Sequence, residues 1–284
     1  MTAAYAAIAN KGTYTKPIYY TQVYDHDGNL ILDNTVPETH SVLKETTAFL
    51  LTNAMESVVN DPDGTGVKAK ISNQPVSGKS GTTNFDGDKW FCAFTPYYTA
   101  SIWIGYDDNT ILPATAAYNH VMIWQAIMSQ IHADLPTGTF EQPKGIVQLQ
   151  VCSQSGKLAV PGLCDSDPRG SQVITEYFSE DNQPTETCDI HQKVTVCNVS
   201  QMKASPYCTS TTTTIKIKKA ATNILNATDG TKYIVNDEAY AVTDDFLSKL
   251  CTIHNKAATT TPATTTATTA AATSSTTAAT KKAN

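Results

Sequence analysis

Pro75-Val-Ser-Gly-Lys-Ser-Gly-Thr-Thr83, Trp90-Phe-Cys-Ala-Phe-Thr95 and Tyr98-Thr-Ala-Ser-Ile-Trp-Ile-Gly-Tyr106 follow one another with only short turns between them. These runs are rich in the β-branched and aromatic residues that suit a pleated, half-buried surface. Asn84-Phe-Asp-Gly87 is turn chemistry, and Thr95-Pro96 makes a tight corner. Neither connection has the dozen or so residues that a parallel crossover needs. Residues 75–83, 90–95 and 98–106 are therefore expected to form consecutive antiparallel strands, without helix between 75 and 106. Cys92, inside the middle run, is expected to be a buried core residue. Downstream, Asn-His-Val-Met-Ile-Trp-Gln-Ala-Ile-Met-Ser-Gln-Ile-His over 119–132 predicts an amphipathic helix that covers one face of the sheet. Leu135-Pro-Thr-Gly138 closes the region.

Working back toward the N-terminus, residues 44–59 show helical spacing, with Ala48, Leu51, Met55 and Val58 or Val59 on one face. Thr39 or Ser41 is the candidate cap. Asp61-Pro-Asp-Gly-Thr-Gly66 is a loop. Residues 17–33 read as a hairpin, with β-formers on both sides of Asp25-His-Asp-Gly28. The opening Met1-Thr-Ala-Ala-Tyr-Ala-Ala-Ile-Ala-Asn lacks the basic region of a signal peptide and breaks at Lys11-Gly12. It reads as the end of a helix with a glycine stop, so earlier residues of the same domain are expected upstream.

Beyond 138 the composition changes. Residues 139–210 hold short β-like pieces such as Ile146-Val-Gln-Leu-Gln-Val151, much Pro, Gly and Cys, and little helical pattern. Cys152, Cys164, Cys188, Cys197, Cys208 and Cys251 all lie in the later half of the chain. Disulfides in an oxidising, extracytoplasmic place are the expected state, with the pairing left open and Cys92 unpaired. No Cys-x-x-Cys occurs, which makes zinc the weakest option. Residues 211–256 are ambiguous apart from a helix at Thr243–Leu250, and the Ala/Thr-rich stretch 257–284 is expected to be disordered. The whole is α+β: an antiparallel sheet with packed helices over 1–135, a small Cys-rich β-rich appendage over 139–210, and a disordered Thr/Ala tail.

The 284-residue chain is 40% hydrophobic and 16% charged, which fits a folded core. Its net charge of −6 argues against nucleic acid as a partner, and no apolar run reaches the length of a membrane span.

Chemistry concentrates in Gly78-Lys-Ser-Gly-Thr-Thr83. A phosphate-binding loop would need glycine at position 73, where Asn73 stands, and a helix rather than a strand after the motif. What remains is Lys-(Ser/Thr)-Gly, the third signature of serine acyltransferases and β-lactamases. Lys79 on a strand edge offers a fixed ammonium to a carboxylate, and the Ser80 hydroxyl reaches the same region. Gly81 leaves the backbone open to an extended substrate. Thr82 offers a main-chain N–H where an oxyanion forms; one such donor is typically worth a factor of about 10² to 10³ in turnover.

Ala4-Tyr-Ala6, Ala9-Asn-Lys-Gly12, Pro17, Asp27-Gly28, Gly64-Thr-Gly66, Gly78-Lys-Ser-Gly-Thr-Thr83, Asp88-Lys-Trp-Phe91, Thr95-Pro96 and Trp103-Ile-Gly-Tyr-Asp107 occur in that order. Together they resemble the bifunctional, class A penicillin-binding proteins over residues 1 to 132. Cys152-Ser-Gln-Ser-Gly156, Glu176-Tyr-Phe178 and Pro184-Thr-Glu-Thr-Cys-Asp-Ile-His191 resemble the extension that Gram-positive members carry after the transpeptidase domain.

The resemblance implies a partial penicillin-binding transpeptidase fold and a parent enzyme that cross-links peptidoglycan stem peptides through an acyl-serine. It also implies a glycosyltransferase domain and an N-terminal membrane anchor elsewhere in that parent, and a place outside the cytoplasm, on the membrane's outer face or in the wall. Stem peptides and β-lactams are the implied partners, and no cofactor or metal is expected. Lys79, Ser80, Gly81 and Thr82 match the third motif; Trp90 and Phe91 read as packing residues, and Gly64-Thr-Gly66 as a turn.

The family's nucleophile motif, Ser-x-x-Lys followed by Ser-x-Asn, belongs upstream of Lys-Ser-Gly. Ser41-Val-Leu-Lys44 has no Ser-x-Asn between it and Lys79, and Ser200-Gln-Met-Lys203 lies after the motif. Both read as accidental, so the nucleophile is expected to be missing and the fragment inactive alone. A serine β-lactamase shares Lys-Ser-Gly-Thr but not the Cys-rich extension. A non-catalytic wall-binding or β-lactam-sensing module is the alternative reading.

Overall fold

The computed structural model describes residues 1–108, 110–218 and 240–255, together with the backbone of 224–226 and 232–234. The expected disordered tail, 257–284, lies outside the described residues. The chain divides into two compact units, Met1–Asp189 and Ile190–Asn284.

The first unit opens with α1 (Thr2–Ala9), β1 (Thr13–Thr15), β2 (Gln22–Tyr24), β3 (Leu30–Asp33), β4 (Thr39–Ser41) and α2 (Glu45–Asn60). β2 and β3 form the expected hairpin, shorter than 17–33, because Pro17–Thr21 has no ladder partner and the pairing begins at Gln22. Around it, β1 pairs antiparallel with β4. Gly12, at φ 87, turns the chain out of α1, and its carbonyl accepts the N–H of Val42 at 2.8 Å.

Two details of α2 differ from the sequence reading. Thr39 and Ser41 do not cap it, because both lie in β4; the N-cap is Lys44 and no side chain caps the end. The buried face is Ala48, Thr52 and Val59, whereas Leu51 is exposed. Thr52 is tolerated there because its hydroxyl donates to the Ala48 carbonyl one turn back, at 2.8 Å.

The expected antiparallel strands are β5 (Ser77–Thr82), β6 (Asp88–Phe94) and β7 (Thr99–Gly105), in the order β5-β6-β7. Residues 75–106 are not wholly free of helix: a single 3-10 turn, Asn84–Asp86, forms the first connection. α3 (Asn119–Ile131) follows, then β8 (Ile146–Cys152), paired antiparallel with β9 (Val173–Ser179).

Directly opposed residues of an antiparallel sheet share a face. Gly78, Ser80 and Thr82 therefore lie on the side of their partners Ala93, Phe91 and Lys89. Phe91 and Ala93 join Val121, Trp124 and Met128 of α3 in the main core, with Val59, Ala69, Ile71 and Val76. Trp124 meets Phe91 edge-on at 5.5 Å and donates its indole N–H to the Ala100 carbonyl at 3.1 Å. On the opposite side, the Ser77 hydroxyl donates to the Thr52 carbonyl of α2 at 2.8 Å, and Cys92 is buried as expected. The sheet is thus covered on both faces, and the motif runs along β5 at one side of it.

The second unit contains β10 (His191–Cys197), β11 (Thr211–Lys218), β12 (Ile224–Asn226), β13 (Lys232–Ile234), β14 (Ala241–Val242) and α4 (Asp244–Ser248). β11 pairs antiparallel with β10 and parallel with β14. The expected helix near 243–250 is present as the shorter α4, capped by Thr243, whose hydroxyl accepts the Phe246 N–H at 3.1 Å.

The disulfide expectation is corrected. The cysteines after 150 gather in two groups of three rather than in pairs. The sulfurs of Cys152, Cys164 and Cys188 lie within 4.8 Å of one another, as do those of Cys197, Cys208 and Cys251. A set of three cannot be closed by pairing.

Candidate substrate-binding site

β5 delivers the four motif residues in register. Lys79 stands opposite Cys92, Ser80 opposite Phe91, Gly81 opposite Trp90 and Thr82 opposite Lys89. Ser77 and Gly78 are buried, whereas Lys79, Gly81 and Thr82 are exposed and Ser80 half-buried. The strand thus enters from the core and emerges as the motif begins. Among the described residues only β6 pairs with β5, which leaves the other backbone edge of the motif open.

Gly78 and Gly81 have different reasons to be glycine. A Cβ on Gly78 would lie 2.3 Å from the Ala93 Cβ, so close packing demands the missing side chain. A Cβ on Gly81 would find its nearest neighbour, the Trp90 Cβ, at an ordinary 3.7 Å. Internal packing does not require a glycine at 81.

The Lys79 and Ser80 side chains both have partners. The Lys79 ammonium donates to the Ser80 carbonyl at 2.8 Å. The Ser80 hydroxyl is 2.7 Å from the Thr65 hydroxyl. Gly64-Thr-Gly66, read from sequence as a turn, thus also carries Thr65 to the motif. The Gly-x-Gly spacing marks a loop but says nothing of where its tip lands.

The connection after Thr82 is strained and well clipped. Phe85 and Asp86 take φ of 63° and 56°, which costs non-glycine residues roughly 1–2 kcal/mol each. Against this, the Thr83 N–H donates to the Asp88 carbonyl at 3.1 Å, and the Thr83 hydroxyl accepts the Asp88 N–H at 2.8 Å. Lys89, nearly buried, holds the Asp86 carboxylate at 2.7 Å. His120 of α3 is buried, and its Nδ1 has no hydrogen-bond partner among the described residues. Burial, and secondly the Lys89 charge, push the His120 imidazole below its usual value.

Trp90 and Phe91 behave as packing residues: Phe91 is fully buried, and Trp90 lies 6.4 Å from Trp103, ring to ring. Ser41 ends β4, where its hydroxyl donates to the Leu43 carbonyl at 3.4 Å, and Lys44 is the N-cap of α2. A cavity of about 600 Å³ lies between α1 and the β6–β7 corner, lined by Ala3, Pro17, Pro96 and Tyr97 among others, and none of the four motif residues reaches it.

Residues 1–117 match the family model of the penicillin-binding protein transpeptidase domain, and residues 142–193 match that of the penicillin-binding protein 1A C-terminal domain. The chain belongs to the penicillin-binding proteins. Penicillin-binding protein 1A of Clostridium perfringens is 36% identical over 196 residues, 69% of this chain and 23% of the relative. That of Clostridium botulinum is 35% identical over 209 residues, 73% of this chain and 25% of the relative. The chain therefore spans about a quarter of the length of these members of the family. The crystal structure of penicillin-binding protein 1A from Haemophilus influenzae shares the fold at a TM-score of 0.53 and 22% identity, covering 66% of this chain and 32% of that one.

Proposed function

We propose that this chain supplies the Lys-Ser-Gly wall of a peptidoglycan D,D-transpeptidase. In such a reaction a serine attacks the D-Ala–D-Ala bond of one stem peptide and an amine of a second stem resolves the acyl-enzyme. The Lys79 ammonium and the Ser80 hydroxyl hold the substrate carboxylate. Gly81 lets an extended peptide or β-lactam lie against the strand, and the Thr82 N–H donates to the developing oxyanion. The observation that carries this reading is the open face at Gly81, where a methyl group would meet nothing closer than 3.7 Å, on a strand edge without a second partner among the described residues. An extended ligand there joins the sheet as an added strand.

The attacking serine is not supplied by this chain. Ser41 lies in β4 without a lysine partner, and Ser200 donates its hydroxyl to the Cys251 sulfur at 3.1 Å. Residues 1–135 form the later part of the transpeptidase domain and 139–210 the Cys-rich appendage. The protein acts outside the cytoplasm, at the membrane's outer face or in the wall, where stem peptides are found; no helix among the described residues is long and apolar enough to cross a membrane.

Binding to the chain alone is weak, because a ligand must displace the Lys79–Ser80 and Ser80–Thr65 contacts that already occupy both clamp groups. The test has two arms. Incubation with a fluorescent penicillin followed by a denaturing gel gives no labelled band; a stable band lost in Ser41→Ala would show that Ser41 is the nucleophile after all. Titration with a D-Ala-D-Ala peptide to millimolar levels shifts the amide resonances of residues 79–82, and Lys79→Ala removes the shift. Unmoved resonances there would overturn the assignment of β5 as the binding edge.

A further inference from the structure

Among the described residues, the second unit has a small core. Its sheet of β10, β11 and β14 buries Val194, Val196, Ile215, Ile217 and Val242. Small domains with so little apolar surface to bury commonly need a staple. Four side chains converge at one end of β10: Cys197 on its last residue, Cys208 in the following loop, and Cys251 and His254 after α4. The three sulfurs and a ring nitrogen lie within 4.8 Å of one another. The His254 Nδ1 is 3.4 Å from the Cys197 sulfur and 3.5 Å from the Cys251 sulfur. A tetrahedral zinc ion, with Zn–S of about 2.3 Å and Zn–N of about 2.0 Å, sets its sulfur and nitrogen ligands about 3.6 Å apart and its sulfurs about 3.8 Å apart. The spacing suits the ion.

We propose that Cys197, Cys208, Cys251 and His254 form a structural Cys3His zinc site. The surroundings are built for thiolates rather than for thiols. Main-chain N–H groups of Ser200 and Val199 donate to the Cys197 sulfur, and the N–H of Ser205 donates to the Cys208 sulfur at 3.3 Å. The Ser200 hydroxyl donates to the Cys251 sulfur. Gln201, at φ 57, closes the turn that aims these donors, with its N–H on the Cys197 carbonyl at 2.9 Å. Zinc binding sends the thiol protons to solvent and leaves four protein ligands around the ion, the closed set of a structural site. The Cys251 N–H also donates to the Lys203 carbonyl at 2.7 Å, so the last ligand-bearing segment is already laid beside the loop that carries Cys208.

The sequence repeats this ligand pattern. Cys197-Asn-Val-Ser200, Ala204, Pro206, Cys208 and Cys251-Thr-Ile-His254 follow the order of Cys152-Ser-Gln-Ser155, Ala159, Pro161, Cys164 and Cys188-Asp-Ile-His191. In the first unit, too, the three sulfurs of the pattern gather. A disulfide framework has no use for a histidine three places after the last cysteine, and three cysteines leave one over from any pairing.

The full chain, purified with zinc and a reductant, is analysed for metal beside its variants. His254→Ala and Cys208→Ser each contain one zinc fewer per chain, and Cys92→Ser contains as much as the parent. Cobalt(II) loading gives sulfur-to-cobalt charge transfer and tetrahedral d–d bands that are weakened in His254→Ala. His254→Cys restores the ion with its d–d bands at longer wavelength, which keeps the test decisive if the alanine variant misfolds. Equal zinc in parent and both ligand variants would overturn the proposal, as would loss of zinc in Cys92→Ser. So would non-reducing peptide maps of zinc-purified protein in which most Cys197 is disulfide-bonded.

Discussion

Gly78 and Gly81 lie three positions apart on one strand, yet a methyl group separates their roles. Neither has a positive φ, so backbone freedom does not explain either. Gly78→Ala drives a Cβ to 2.3 Å from that of Ala93 and is expected to cost about 1–3 kcal/mol by overpacking. Gly81→Ala has room, and is expected to leave stability unchanged or raise it by about 0.4–1 kcal/mol through the unfolded chain. Urea titration followed by tryptophan fluorescence reads both. A destabilisation by Gly81→Ala as large as that of Gly78→Ala would mark Gly81 as a packing residue and remove the support it gives to ligand binding. At this scale the sequence speaks through chemistry: Lys79 to Thr82 stand out as a candidate site because few other tasks use Lys-Ser-Gly-Thr on a strand, and the strand itself is where the sequence places it. Thr65 is not legible, since nothing in Gly64-Thr-Gly66 encodes a partner 15 residues away.

α3 illustrates the element scale. Its apolar stripe, Val121, Trp124 and Met128, was readable from spacing, but its two histidines were not. His132, just past the helix end, is fully buried and tied: its Nδ1 lies 2.7 Å from the Met128 carbonyl and its Nε2 2.8 Å from the Thr95 hydroxyl. A carbonyl only accepts, so Nδ1 carries the proton and Nε2 accepts from Thr95. His120, at the other end, is buried without such partners, and its folded value lies below the ordinary 6.5. Between those two values the unfolded chain binds a proton that the folded chain does not. Stability should therefore fall as pH drops through 6.5 and level off below the folded value, by at most about 1.4 kcal/mol per pH unit. His120→Leu should flatten this slope in urea titrations at several pH values without lowering the midpoint at neutral pH, since it also removes a buried, unpartnered nitrogen. An unchanged slope would show that His120 is not the group that titrates. α2 gives the complementary lesson. Sequence spacing put Leu51 inward, but Thr52 takes the buried place because it can satisfy its hydroxyl within the helix.

Over the whole molecule, the layered sheet unit was legible because its strands are short, consecutive and separated by turn residues. The second unit was not, since its thin apolar pattern gives periodicity little to work on. There the better guide was repetition: a Cys-x-x-Ser start and a Cys-x-x-His end, each present twice. If zinc closes the second unit, a strong chelator with reductant should loosen it, with loss of amide protection in β10 and β11. The main core of the first unit, built on Trp124, Phe91 and Met128, should keep its protection. Equal protection in β10 and β11 before and after chelation would mean that no ion holds them. The same division makes the protein optically lopsided. Trp90, Trp103 and Trp124, its only tryptophans, all fall within Met1–Asp189. Indole emission consequently reports on one unit and is blind to the other, so a melt followed by that light alone would describe the chain as intact after its C-terminal part had come apart.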